Sequence, residues 1–403
     1  MTDQNASPST ARPVVRLRPG RARTVRFGFP WVYADELVLD RRSKSLTPGT
    51  FATLEDADRV AIGTVTVNSE SRIPARLMDR DPEAVIDAAW LESKLRFAFE
   101  HRSRLFAEPF YRLIHAEADG LPGVIIDRFG DAAVIQPNAA WAEAMYAELE
   151  AAVIAVTGVS SVVKNASGRA RKLDGLDEES AVTTGQIDAP IPVKMNGATY
   201  MADLLGGQKT GLFLDQRANH AFAAGLAAGG EVLDVFSHVG GFALAALAGG
   251  AKSALSVDGS APALALAEEG ARAMGASDRF ATRRGDAFDT MTAMVEEGVT
   301  YDLVVCDPPA FAPTKQTADK GLRAYERVAR MSAALVKPGG YLVLCSCSHA
   351  ADLAKFRDAS LRGVARGGRV AQLIHTGFAG PDHPTHAMLA ETAYLKALFL
   401  RLE

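Results

Sequence analysis

The sequence predicts an α/β fold: a mostly parallel sheet with helices on both faces, preceded by a small β-barrel and a small α+β unit. Two observations carry this. From about residue 198 onward, strand-like segments at 231–236, 253–257, 278–283, 301–306 and 341–346 alternate with helical patterns such as 261–274 and 322–336. Alternation of this kind builds a parallel sheet covered on both faces. Residues 14–80 instead read as short strands punctuated by Pro19-Gly20, Gly28, Pro48-Gly49 and Gly63, the pattern of a small barrel. The expected domains are 11–82 for the barrel, 83–197 for a connector helix with an α+β middle domain, and 198–403 for the large α/β domain.

Bulk composition narrows the class. A hydrophobic content of 48% with 23% charged residues is ordinary for a soluble globular protein. No apolar run is long enough to span a bilayer, and the polar residues 1–10 lack the apolar core of a signal peptide. That segment reads as a disordered tail. Three cysteines make no disulfide framework, so a reducing cytoplasm is expected and a membrane partner is not.

Charge is uneven along the chain. The formal net charge is −4, yet the first 80 residues hold 13 Lys/Arg against 9 Asp/Glu. Arg12, Arg16, Arg18, Arg21, Arg23 and Arg26 precede Asp35 with no acid between them. A cationic end on an acidic protein suits a polyanion, and a solvated charged face is the plain alternative.

The connector helix is expected over 83–106, with Leu91, Leu95, Ala98 and Leu105 on one stripe and Lys94, Arg96, Arg102 and Arg104 mostly off it. In the middle domain, 124–126, 132–136 and 159–164 read as strands and 140–156 as one alanine-rich helix. Lys164 to Lys172, with Arg169 and Arg171 inside it, reads as a loop able to touch phosphates or as an ordinary exposed hairpin loop.

The large domain carries the chemistry. Tyr301 to Cys306 is an apolar strand that ends on Asp307, and Pro308-Pro309 stops it because proline cannot donate to a ladder. A carboxylate at the carboxyl end of a buried strand sits where open α/β sheets bind ligands. Asp258 and Asp286 close two earlier strands, and Asp234-Val235-Phe236-Ser237 leads through Gly240-Gly241 into a helix. That glycine spacing is not the dinucleotide fingerprint. Each acid alone could be a helix cap, but their recurrence at successive strand ends points to one site. Val343-Leu344 runs into Cys345-Ser346-Cys347-Ser348-His349. Zinc is disfavoured there, since one-residue spacing is not a finger pattern and no second cysteine pair exists. Cys306 reads as buried core.

Asp307-Pro308-Pro309-Ala310-Phe311 resembles the motif with which many class I S-adenosylmethionine-dependent methyltransferases hold a planar base beside the methyl donor. Pro30-Trp31-Val32-Tyr33, Pro48-Gly49 and Gly63 with Asn68-Ser69 resemble the PUA RNA-binding domain. With Asp215-Gln216-Arg217, Cys345-Ser346-Cys347-Ser348-His349, Asp382-His383-Pro384 and Tyr394-Leu395-Lys396, the chain resembles, along nearly its full length, the bacterial PUA-containing 23S rRNA 5-methylcytosine methyltransferases. It departs from them at Ala390-Glu391-Thr392 and at His220.

The resemblance implies a Rossmann-like seven-stranded catalytic domain, a middle domain of EEHEE type and S-adenosylmethionine as cofactor. The implied cofactor-binding residues are Asp215, Arg217, Asp234, Phe236, Ser237, Gly240, Gly241, Asp258, Gly259, Asp286, Ala287 and Asp307. Asp258 would take the ribose hydroxyls and Asp286 the adenine amino group. Asp307 and Cys347 would be catalytic, Cys347 as the nucleophile on carbon 6 of cytosine, with Cys345 the runner-up. Pro308, Pro309, Phe311, Arg18, Arg21, Arg23, Lys164, Arg169 and Arg171 would face the substrate. The implied partner is 23S rRNA or a ribosomal assembly particle, with a homodimer left open. Two other readings stand beside this one. One is a methyltransferase acting on a base nitrogen, with Cys347 as packing, and the other is a noncatalytic RNA-binding factor that kept the fold.

Overall fold

The computed structural model describes residues 12–207 and 211–403. The tail before residue 12 and residues 208–210, including Lys209, lie outside the described residues, as do the side chains of Arg169 and Ala170.

The N-terminal unit is a curled five-stranded sheet. Its elements are β1 (Val14–Arg16), α1 (Ala22–Arg26), β2 (Trp31–Val32), α2 (Arg41–Lys44), β3 (Thr50–Glu55), β4 (Ala61–Val67) and β5 (Ala75–Asp79), with strand order β1-β3-β4-β5-β2. Leu17, Val32, Leu54 and Val65 fill its core. Gly63 interrupts a β-branched run because a Cβ there would lie 2.4 Å from the Asp79 carbonyl.

The connector α3 (Ala88–Leu105) starts at Asp87, whose side chain accepts from the Trp90 amide at 2.9 Å. Leu91, Leu95 and Ala98 are buried as the stripe requires, but Leu105 is 45% exposed and Arg102 is 1% exposed. The expected assignment of those two is therefore reversed. The Arg102 guanidinium donates two 2.7 Å hydrogen bonds to Asp119 and a third to the Asp382 carbonyl, so the buried charge is satisfied.

The middle domain comprises β6 (Phe110–His115), β7 (Val124–Phe129), β8 (Ala132–Pro137), α4 (Ala140–Ala144), α5 (Tyr146–Thr157), β9 (Ser161–Lys164), α6 (Arg169–Leu173) and β10 (Ala181–Thr184), with sheet order β10-β9-β8-β7-β6. The single helix expected over 140–156 breaks at Met145, whose φ of −107° and ψ of 26° leave the helical range. The expected 164–172 loop contains α6. A hairpin of β11 (Ile191–Met195) and β12 (Ala198–Ala202) follows.

The large domain runs α7 (Arg217–Leu226), β13 (Glu231–Val235), α8 (Gly241–Ala248), β14 (Ser253–Asp258), α9 (Ala261–Ala273), β15 (Phe280–Arg284), α10 (Ala287–Glu296), β16 (Tyr301–Cys306), α11 (Ala318–Ala334), β17 (Val336–Ser346), α12 (Leu353–Arg366), β18 (Ala371–Gly377) and β19 (Lys396–Leu402). Its seven strands are ordered β15-β14-β13-β16-β17-β19-β18, and only the pairs involving β19 are antiparallel. Strand order reverses at β13, which has β14 on one side and β16 on the other, and this is the switch point where such sheets bind ligands. β15 begins later than expected because 277–279 form a 3₁₀ turn. Two hydrophobic clusters cover the two faces of the sheet. Among the described residues no helix is long and apolar enough to cross a membrane.

Candidate active site

A cleft of about 540 Å³ opens at the carboxyl ends of β13, β14, β15 and β16. Its first wall is the β13–α8 turn. Phe236 and His238 there have φ of 63° and 49°, left-handed values that cost free energy and concentrate at functional sites. Gly240 turns the chain at φ 79° without lining the cleft. Gly241 lines it, and a Cβ on Gly241 would meet the His220 ring at 2.8 Å. Burial pushes His220 down to about 3, so a neutral imidazole supports this turn.

Asp234 is the least satisfied acid. Its Oδ2 accepts from the Ala243 amide at 3.0 Å, while its buried Oδ1 has no hydrogen-bond partner among the described residues. Burial first, and then the neighbouring charges of Asp307 and Asp258, push its pKa up to about 8 against the pull of the Ala243 amide. Asp258 accepts from the amides of His238 at 2.9 Å and Ser260 at 2.8 Å. Asp286 caps α10, accepting from Phe288 and Asp289, and also lines the cleft, so the cap and wall roles coincide. Asp307 Oδ2 accepts from Gln216 Nε2 at 2.9 Å, and Asp215 Oδ2 accepts from the Tyr394 hydroxyl at 2.6 Å. Phe236, Ser237, Gly259, Ala287, Pro308 and Pro309 complete the expected residues on this wall.

Besides Gly240, two expected residues of the large domain do not line the cleft. Arg217 opens α7 two positions after Asp215 and turns toward the middle domain. Its guanidinium donates to the Phe110 carbonyl and sits 4.2 Å from the Phe106 ring, so it is no part of this cleft. Phe311 packs against Tyr325, ring centroids 5.0 Å apart, behind the wall formed by Pro308, Pro309 and Ala310.

The cysteines separate cleanly. β17 ends at Ser346, so strand alternation stops one residue short of Cys347. Cys347 is half-buried and lines the cleft, whereas Cys345 is 1% exposed. Burial raises the Cys345 thiol well above its ordinary value and pushes Cys306 up to about 12. The Cys347 turn is pinned from both sides. The Ser346 hydroxyl donates to the Tyr325 hydroxyl at 3.0 Å, Tyr325 and Ser348 hydroxyls meet at 2.7 Å, and the Ala312 amide donates to Ser348 Oγ at 3.0 Å. One tyrosine thus ties the cysteine turn to the segment after Asp307-Pro308-Pro309. Lys396 Nζ donates to the carbonyls of Ser348 and Ala351 at 2.7 and 2.8 Å. Burial lowers its pKa to about 8, and its charge interacts with Cys347; a cation so placed favours a thiolate. Gln216, Tyr325 and Lys396 were given no role from sequence. A lone tyrosine in a helix carries no signal, and Gln216 and Lys396 stand in the sequence only as parts of Asp215-Gln216-Arg217 and Tyr394-Leu395-Lys396, which carry the resemblance without giving either a role of its own.

The basic residues divide. Arg18, Arg21 and Arg23 are exposed on the N-terminal sheet, Arg21 lying 3.5 Å from Asp35 and Arg23 over the Phe27 ring. In the middle domain the expected phosphate-touching loop is corrected. Lys164 is ion-paired with Glu143. The Arg171 side chain is 0% exposed, bonded to Glu143 at 2.8 Å, Asp177 at 3.1 Å and the Pro137 carbonyl. It therefore holds the domain together and presents nothing to a substrate.

Residues 168–401 match the S-adenosylmethionine-dependent methyltransferase family, and residues 15–80 match the PUA-like domain. The chain is 33% identical to a ribosomal RNA large subunit methyltransferase of Deinococcus radiodurans, covering 99% of this chain and 100% of that one. It is 31% identical to ribosomal RNA large subunit methyltransferase I of Shewanella denitrificans, covering 96% and 99%. The fold is that of a putative methyltransferase from Streptococcus mutans, TM-score 0.81 at 19% identity over 96% of this chain and 100% of that one. A putative methyltransferase solved with S-adenosylhomocysteine has the same TM-score of 0.81 at 20% identity, covering 96% and 99%.

The cofactor is S-adenosylmethionine, and the cleft fits it. Asp234 offers a cationic ligand a buried oxygen with no partner among the described residues, and Gly259 leaves the wall open, its nearest neighbour to an added Cβ being the Gly285 carbonyl at 3.9 Å. A pH dependence follows. A cation pairs with the ionised carboxylate, yet free Asp234 is largely protonated below about pH 8. Binding should therefore tighten as pH rises from 6 toward 9 and release a proton below pH 8. Calorimetry in buffers of different ionisation enthalpy reads both effects. Asp234→Asn should bind weakly and without this slope, and a slope that survives in the variant would assign it to another group.

Proposed function

The chain belongs to the ribosomal RNA large subunit methyltransferase family, and from that premise we propose that it methylates carbon 5 of a cytosine in 23S rRNA through a transient bond from Cys347 Sγ to carbon 6. The supporting observation is the position of Cys347, the thiol that lines the cleft beside Asp307-Pro308-Pro309, while Cys345 and Cys306 are buried.

Carbon 5 of cytosine is a weak nucleophile. Addition of the Cys347 thiolate to carbon 6 breaks the 5,6 double bond and makes carbon 5 enamine-like. S-adenosylmethionine supplies the methyl group as an electrophile. Carbon 5 takes that methyl, a base removes the carbon 5 proton, and the returning electron pair expels the thiolate. Asp307 and Pro308-Pro309 hold the base ring beside the donor. Lys396, interacting with Cys347, favours the thiolate at both ends of the cycle. The target must leave its stack to reach this cleft.

Nucleoside analysis of 23S rRNA after reaction tests the proposal. It should yield 5-methylcytidine, and RNA carrying 5-fluorocytosine at the target should trap an adduct on the Cys347 peptide, because fluorine does not leave as a proton does. A nitrogen-methylated nucleoside and no adduct would replace this chemistry with the nitrogen-directed one.

Affinity is expected from the N-terminal sheet. Replacing Arg18, Arg21 and Arg23 together should weaken rRNA binding and reduce the log–log salt slope by roughly 0.7 to 0.9 for each phosphate that is no longer neutralised. Salt titrations showing the same slope in variant and wild type would mean that these arginines meet no phosphate.

A further inference from the structure

Beside the cleft just described lies a second, of about 420 Å³, at the seam between the middle and large domains. The two share Leu212, Phe213, Asp215 and Tyr394 as a common wall. Cys347, Asp307 and Pro308 line the first and not the second. A base reacting at Cys347 therefore does not occupy the second cleft, which adjoins the first across their common wall.

Of the polar groups of this cleft, the middle domain supplies Arg112 and His115 at β6, Gln136 on β8 and Asn138 just beyond it, and the large domain supplies Asp215, His383 and Tyr394. Its positive charge is already spent. Arg112 donates two 2.8 Å hydrogen bonds to Asp127. Burial first, and then the charges of Arg112 and His383, push His115 down to about 2, so its ring is neutral. Phosphate is bound by free cations, which these groups do not offer. A cleft with amide side chains, an acid in its wall and no free cation among the described residues suits the polar edge of an unstacked base rather than a phosphate. Asn138 is 9% exposed, and its Oδ1 has no hydrogen-bond partner among the described residues. A buried acceptor left in this state costs free energy that a donating ligand would recover.

We propose that this second cleft binds the base of an unpaired RNA nucleotide adjacent to the methylated one, with Asn138 Oδ1 accepting an N–H from its Watson–Crick edge. The inference rests on reading the chain as an RNA methyltransferase, and it makes the middle domain a reader of sequence next to the target.

Two variants test it on the full-length enzyme with a 23S rRNA transcript. Asn138→Ala removes the acceptor. Gly168→Ala leaves the amide in place but crowds it, since a Cβ there would lie 2.8 Å from Asn138 Oδ1. Each should lower kcat/KM for the transcript by about 10- to 100-fold, with S-adenosylmethionine affinity by calorimetry unchanged. Abasic substitution of the nucleotides flanking the mapped target should cost wild type the same factor and cost the variants nothing further. If wild type methylates the transcript but the variants match it, or lose as much as wild type to the abasic sites, the second cleft does not read a neighbour. If wild type methylates no position of the transcript, the proposed function fails and this inference fails with it.

Discussion

Cys347→Ala is expected to abolish methyl transfer, by on the order of 10⁴-fold or more given what removal of an attacking group costs other enzymes, while S-adenosylmethionine affinity stays at the wild-type level. Only the covalent step needs the thiolate. Single-turnover assays with tritiated cofactor, paired with calorimetry, separate the two quantities. Cys345→Ala should keep measurable turnover, because that thiol is buried and held protonated by its surroundings. Near wild-type transfer by the Cys347→Ala enzyme would remove the cysteine from the chemistry and leave methylation of a ring or exocyclic nitrogen as the working account.

Arg171→Ala is expected to destabilise the middle domain by about 1–3 kcal/mol, the cost of stranding the buried Pro137 carbonyl that its guanidinium satisfies, since Asp177 is 63% exposed and Glu143 keeps Lys164. The loss falls on Glu143, on Asp177 and on the Pro137 carbonyl, each of which accepts from this guanidinium. Denaturant unfolding reads the effect. The salt slope of rRNA binding should not change, since a side chain with 0% exposure releases no counterion. A flattened slope with unaltered stability would return Arg171 to the RNA-facing surface.

The large domain was legible because its chemistry sits where the pattern changes. Asp258 and Asp307 end apolar strands and Asp286 starts a helix, so each is marked by a break in local character as well as by its own side chain. Cys347 could be preferred over Cys345 only by resemblance, because strand alternation puts both on one face; in the fold β17 stops between them and only Cys347 lines the cleft. Arg217 and Arg171 show the converse failure. A basic residue near a ligand-binding segment looks available until tertiary contacts are known, and both are spent on partners distant in sequence, Phe110 for one and Glu143 for the other. Arg102 illustrates the same limit on a helix. Side-chain character assigns the stripe to Leu105, but Arg102, eleven residues after Leu91, lies on the same face, and Asp119 and the Asp382 carbonyl give its charge enough partners to take the buried place. The second cleft left no linear trace, since its walls come from residues 112 to 394 and meet only through domain packing.

The placement of β19 bears on when the enzyme can act. Although translated after every other strand of its sheet, it lies inside that sheet, between β17 and β18. Tyr394 and Lys396, at or just before its start, supply the hydroxyl on Asp215 and the ammonium behind Cys347. Until this strand leaves the ribosome, β18 lacks its neighbour, β17 has an open edge, Asp215 lacks the Tyr394 hydroxyl, and the cysteine turn lacks the Lys396 ammonium. A nascent chain can therefore complete its PUA-like N-terminal sheet long before it can methylate anything, and the large sheet closes only once β19 is made.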